Sequence, residues 1–169
     1  MEGRRVSKKF TRTYTYEASV DDVWSMITNQ DYWDAKYSSL GATEVQWQTF
    51  EATDDAFTYT SVRNIPADLP SVAKKIVGDT NTVTTTERWT KAGEAASATI
   101  EIQVKNLPGS TTGTMDINAS ADGAVWSFDF DTKVSIPMVG GKLEGIMNDQ
   151  TGEQLQQEKG FNDRWLAGA

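Results

Sequence analysis

The stretch IPMVGGKLE, residues 136–144, divides the chain into two periodicities. Before it, from about Phe10 to Ile136, apolar residues mostly alternate with polar ones, broken by Gly, Pro and Asp turns, as half-buried strands do. After Gly141, roughly 25 residues keep a helical period without a proline. Pro137 ends the last strand, because it has no N–H for a ladder, and Gly140–Gly141 supply the freedom for the backbone to reverse. A curved antiparallel sheet closed by one long helix is expected, an architecture that can enclose a pocket.

Working back from this hinge, the strands have their own punctuation. Trp126, Phe128, Phe130, Val134 and Ile136 share one face of the last strand, and Asp129, Asp131 and Lys133 the other, the one-sided burial of an antiparallel sheet. Asp122–Gly123 is the strongest hairpin signal, and Pro108–Gly109 marks the turn before Thr111–Ser120. Upstream, Ala98, Ile100, Ile102 and Val104 alternate in one strand, and Val83, Thr85, Glu87 and Trp89 in another. In residues 63–78, RNIPADLPSVAKKIVG, two prolines exclude a central strand; Leu69, Val72, Ile76 and Val77 suit one or two helical turns ending at Gly78. Phe57–Arg63 and Thr43–Phe50 are strands, the latter with Val45 and Trp47 on one face.

At the N-terminal end, Phe10–Tyr16 is a strand of good strand formers. Ser19 and Asp22 fit a capping box opening a short helix whose apolar stripe is Val20, Val23, Trp24 and Ile27, followed by a second turn around Tyr32, Trp33 and Tyr37. The order is strand, two short helices, six strands with a helical insertion, and a long helix. Hairpin-linked neighbours make a meander, and the closing helix is the one element long enough to cover its apolar face.

Composition bounds function. The chain has 169 residues, enough for one domain with a sizeable core, and a net charge of −8 that disfavours nucleic acid and anionic membranes as partners. Arg4, Arg5, Lys8 and Lys9 form the one dense basic stretch, read as a flexible arm over residues 1–9, with a single domain over 10–169. No apolar signal region follows the arm, and no stretch approaches a membrane span, so a cytoplasmic location without membrane insertion is expected. Cysteine and histidine are both absent, which removes thiolate and imidazole chemistry and Cys/His zinc sites. No metal, cofactor or catalytic residue is assigned, and a monomer or weak dimer is expected.

The closing helix places Leu143, Met147, Gln150, Gln154, Glu158, Phe161 and Trp165 within an arc of roughly 80°, at about 100° per residue. Its polar centre has two readings. Either the middle is partly exposed, with the buried face turned toward Ile146 or Leu155, or Gln150, Gln154 and Glu158 face a wet pocket. Gly145, Gly152 and Gly160, off that arc, are read as tolerated on a solvent face.

Several of these segments carry a resemblance. EASVDDVW (17–24) with DYW (31–33), RNIPADLP (63–70), TERW (86–89), PGSTTGTM (108–115) and IPMVGGKLE, in this order and spacing, resemble the START-like, birch-pollen-allergen-like helix-grip superfamily. Within it the chain is similar to an actinobacterial family of domains with no assigned function, over about residues 10 to 166. The resemblance implies an α+β helix-grip fold, a curved seven-stranded antiparallel sheet around the C-terminal helix with a cavity between them. Superfamily members bind lipids, sterols, polyketides or other apolar molecules, and some are cyclases, aromatases or dioxygenase components. This chain departs from the pattern where Gly145, Gly152 and Gln154 replace stronger helix formers or apolar residues.

The leading expectation is a binding module for an apolar or amphipathic small molecule, lipid-like or polyketide-like, in a contiguous cavity above roughly 300 Å³. The expected lining from the sheet is Trp47, Tyr59, Arg63, Glu87, Trp89, Ile100, Ile102, Phe128 and Phe130, with Met147, Gln150 and Gln154 from the helix. Arg63 either anchors an anionic group through its fork or, as the ordinary role, pairs with Glu87, Asp68 or another acid. Glu87, if inward, has a raised pKa and is a candidate general acid, or a hydrogen-bonded core residue. Two other functions stay open: an enzyme using Glu87, Tyr59 or Arg63 in the same pocket, and an interaction domain with a filled core.

Overall fold

The computed structural model describes residues 7–66, 71–78 and 80–168. Strand β1 (Lys8–Tyr16) is followed by helices α1 (Val20–Ile27) and α2 (Gln30–Ser39), then β2 (Thr43–Ala52) and β3 (Ala56–Ile65). Helix α3 (Ser71–Val77) precedes β4 (Asn81–Ala92), β5 (Ala95–Val104), β6 (Gly109–Ser120) and β7 (Gly123–Val134), and α4 (Gly140–Leu166) closes the chain. The strands form one antiparallel sheet in the order β1-β7-β6-β5-β4-β3-β2, a meander whose last strand pairs with the first. This is the α+β helix-grip fold, with two short helices after the first strand.

The short helices form for local reasons. Ser19 Oγ accepts the Asp22 N–H at 3.0 Å and Asn29 Oδ1 accepts the Asp31 N–H at 3.0 Å, satisfying free donors of each first turn. Their apolar stripes (Val20, Val23, Trp24 and Ile27; Tyr32, Trp33 and Tyr37) are buried. Gly78 closes α3 with φ +85, its N–H donating to the Lys74 carbonyl. Leu69 and Asp68 lie outside the described residues, as do Arg4 and Arg5. Lys8 and Lys9, assigned to the basic arm by the sequence, are the first residues of β1, where Lys9 pairs with Asp131 at 3.1 Å.

The hinge works differently from expectation. Neither Gly140 nor Gly141 has a positive φ; they are the first residues of α4. The reversal falls on Met138, at φ 72 and fully exposed, between the end of β7 and the Gly140 N–H, which donates to the Ile136 carbonyl. The β6–β7 hairpin also departs from a simple Asp-Gly turn. Gly123 starts β7 at φ +141, and a Cβ there would lie 2.2 Å from the Tyr16 carbonyl oxygen, so glycine is required by the close approach of β1.

Register lines the inward residues into rows across the sheet. One row runs Phe57, Trp89, Ala98, Met115 and Phe128. The next runs Tyr59, Glu87, Ile100, Gly113 and Phe130, and the third Ser61, Thr85, Ile102, Thr111 and Thr132. The first row is a packed core, whose large side chains each contribute about 1.5–3 kcal/mol on burial. The second and third carry polar groups inward, and α4 lies over them against β1 and β7.

Candidate functional site

Between the inner sheet face and α4 lies a contiguous cavity of about 160 Å³. This falls short of the 300 Å³ expected above, because Trp33, Tyr37 and the aromatic rows of the sheet fill much of the interior. It matches in size an engineered 150 Å³ apolar cavity that admits benzene. One end is apolar and half-buried, formed by Ile65, Val104, Leu107, Ile146 and Met147. The other is polar and, apart from half-buried Glu158, buried, formed by Tyr16, Lys36, Tyr59, Glu87, Glu158 and Asn162.

The polar end is hydrogen-bonded throughout. Glu87, 6% exposed, accepts from the Tyr59 phenol across the β3–β4 register and from Trp89 Nε1 at 2.9 Å. Burial pushes the Glu87 carboxyl above its ordinary 4.5, against the lowering effect of Tyr59, Lys36 and Trp89. Burial, then the Glu87 charge, holds the Tyr59 phenol well above 10.0. Lys36, 4% exposed on α2, sits 3.9 Å over the Trp33 ring and 3.3 Å from Glu158 Oε1 on α4. Asn162 joins the ends of β1 and α2, accepting from the Tyr32 phenol at 2.5 Å and donating to the Tyr16 oxygen at 3.1 Å.

Nine of the twelve residues expected at a cavity lie on its wall: Tyr59, Glu87, Ile100, Ile102, Phe128, Phe130, Met147, Gln150 and Gln154. Three do not. Trp47 stacks on Tyr37 at 5.5 Å and donates Nε1 to Asp34, bracing α2 against the sheet. Trp89 packs against Trp126 in the core row. Arg63 is buried, donating to Thr85 Oγ1 at 3.1 Å and Ser61 Oγ at 3.4 Å, with its guanidinium 4.3 Å over the Tyr37 ring. The expected ion pair with Glu87 is not made, because the Ser61–Thr85 row separates the two.

On α4, Gln150, Gln154 and Glu158 are half-buried on the cavity wall, and Leu155 and Ile146 line it too. Both readings of the polar helix centre therefore hold in part, since the cavity-facing arc is broader than one stripe. Phe161 and Trp165 instead pack on Tyr32, with ring centroids 5.9 and 5.5 Å away. The sequence reading missed Lys36, Tyr16, Tyr37 and Asn162. Lys36 had a signal: it falls three and four residues after Trp33 and Tyr32, on the aromatic stripe of α2 rather than opposite it.

Comparison with known proteins places this geometry. The chain is 25% identical over 173 residues to an uncharacterized protein of Mycobacterium tuberculosis, with 94% of this chain and 97% of that one aligned. A crystal structure from Thermus thermophilus matches with a TM-score of 0.66 at 13% identity, covering 96% of this chain and 99% of the other. A START superfamily protein of Mycobacterium smegmatis matches with a TM-score of 0.55 at 12% identity, covering 95% and 97%. These likenesses establish the START-like fold. The family described as protein of unknown function DUF2505 matches residues 11–166, nearly the whole chain, and the chain belongs to it.

Proposed function

We propose that this chain is a binding module that holds one small apolar or amphipathic molecule between the sheet and α4. The observation that carries the reading is the cavity itself: contiguous, walled mainly by aromatic and aliphatic side chains, and furnished at one end with a few fixed polar groups. A packed interior would have no such space. The volume suits a body of one or two rings, so a polyketide-like ring system fits whole, while a lipid-like chain would extend through the half-buried end at Leu107 and Met147.

The test is native mass spectrometry of the purified protein, followed by calorimetric titration with ring-sized apolar compounds. A retained small molecule, or saturable binding that Ile102→Trp abolishes by filling the cavity, supports the reading. A protein that carries nothing and binds none of the compounds overturns it.

A further inference from the structure

We infer that the ligand is neutral and carries a hydroxyl or carbonyl group that hydrogen-bonds the side-chain amide of Gln154, anionic ligands being excluded. This rests on the binding reading above and specifies its ligand class. Among the described residues, three ionisable groups reach the cavity wall besides its tyrosines: Lys36, Glu87 and Glu158. The lysine ammonium is already paired with Glu158 and held over the Trp33 ring. Arg63, the other buried cation among the described residues, stands off the wall on Ser61, Thr85 and Tyr37. Among the described residues, a carboxylate, sulfate or phosphate entering the cavity would meet two glutamates and no unpaired cation on the wall. Burying a charge without a partner is costly, and the balance of charge on the wall makes an anion the worst occupant. A ligand cation fares little better, since the chain's own ammonium fills the place between the aromatic rings and Glu158.

What remains is hydrogen bonding, and most polar groups at the wall are engaged. Asn81 Oδ1 and Trp126 Nε1 are without a partner among the described residues, but the first can only accept and the second only donate. The Tyr16–Asn162–Tyr32 chain, the Tyr59–Glu87 pair, Tyr37 with Ser61 and Thr111 with Thr132 are mutually satisfied. Gln154 is half-buried on the cavity wall, one helical turn before Glu158, and its amide has no partner among the described residues. An amide can accept from an O–H and donate to a C=O, so it suits either neutral oxygen function.

Three probes that share the naphthalene ring system decide this by isothermal titration calorimetry at neutral pH: 2-naphthol, naphthalene and 2-naphthoate. The expected order is naphthol tightest, naphthalene about 2- to 10-fold weaker for want of one hydrogen bond, and naphthoate weaker than naphthol by roughly tenfold or more. Gln154→Leu should erase the preference for naphthol over naphthalene. Glu158→Gln, which frees the Lys36 ammonium, should raise naphthoate affinity relative to that of naphthalene. Naphthoate binding the parent protein as tightly as naphthol overturns the inference and leaves the binding module standing, as does an unchanged naphthol preference in Gln154→Leu. Failure of all three probes to bind overturns both. Should Glu158→Gln fail to fold, the parent and Gln154→Leu comparisons decide the matter alone.

Discussion

Lys36 Nζ lies 3.3 Å from Glu158 Oε1, with the two side chains 4% and 15% exposed, and the pair ties α2 to α4 at the closed end of the cavity. A buried ion pair adds little over an apolar pair of similar size, but removing one partner strands the other. Lys36→Met should therefore destabilise the fold toward the low end of about 3–5 kcal/mol, because Glu158 keeps some access to water. Adding Glu158→Leu should restore most of the loss. Denaturant unfolding of the two variants checks this, and a double variant no more stable than Lys36→Met would refute it.

A second prediction concerns Glu87. Its folded-state pKa is raised above the unfolded 4.5, chiefly by burial. The folded protein holds that proton more tightly, so the contribution is fully present below pH 4.5 and is lost as pH rises through the folded pKa. Glu87→Gln removes the titration while its carbonyl still accepts from Tyr59 or Trp89. Stability measured against pH should fall less steeply above 4.5 for the variant than for the parent. Parallel curves would show that burial of Glu87 has no proton linkage.

At the alkaline end the tyrosines govern. Tyr16, Tyr32, Tyr37 and Tyr59 all have phenols raised above 10.0, burial being the largest cause for each. Their contribution is complete below pH 10 and is lost as pH climbs toward the folded values, since only the unfolded chain ionises freely there. The phenolate absorbance of these four on alkaline titration should rise in one step coincident with loss of near-ultraviolet circular dichroism. A gradual rise with the fold intact would count against burial of these four hydroxyls.

How much of this was legible beforehand follows from what alternation encodes. Period-two patterning says which side chains point inward, so the strand carrying Glu87 and Trp89 and the face carrying Phe128 and Phe130 could be read directly. It does not say which inward residues meet α4 and which meet the sheet's own neighbours. Trp89 and Glu87 share a face, yet one packs in the core row and the other reaches the cavity. Arg63 was inward as well, but its partner depended on the β3–β4 register, which puts Val83 rather than Glu87 opposite it. Lys36 escaped because lysine on a helix is ordinarily solvated, and two aromatic neighbours, Tyr32 and Trp33, had to be assembled before its burial made sense. The volume of the cavity depends on how tightly the aromatic rings of α2 and the sheet interlock, a tertiary property with no local periodicity.

The three glycines of α4 give the last prediction, because the structure separates what the sequence grouped together. A Cβ at Gly160 would meet only Arg164 Nη1 at 3.6 Å, an ordinary contact at the end of a flexible side chain. Gly160→Ala should then gain the full helix-propensity difference, about 1 kcal/mol. At Gly152 a Cβ would lie 3.0 Å from Arg12 Nη2 and 3.4 Å from the Phe10 ring, so α4 seats closely on β1 there. Gly152→Ala should gain less than Gly160→Ala, because the Arg12 guanidinium, held over the Phe10 ring, must shift to admit the Cβ. Gly145 is intermediate, with Lys8 Nζ at 3.3 Å free to swing aside. Gly113, on β6, marks the opposite extreme: a Cβ there would stand 2.3 Å from the Asp129 carbonyl oxygen, and Gly113→Ala should cost roughly 1–3 kcal/mol or more. Thermal unfolding of the four variants should rank them Gly160→Ala, Gly145→Ala, Gly152→Ala, Gly113→Ala from most to least stable. A Gly152→Ala protein as stable as Gly160→Ala would mean that α4 does not press on β1, and with it the tight seating of the closing helix over the cavity would be lost.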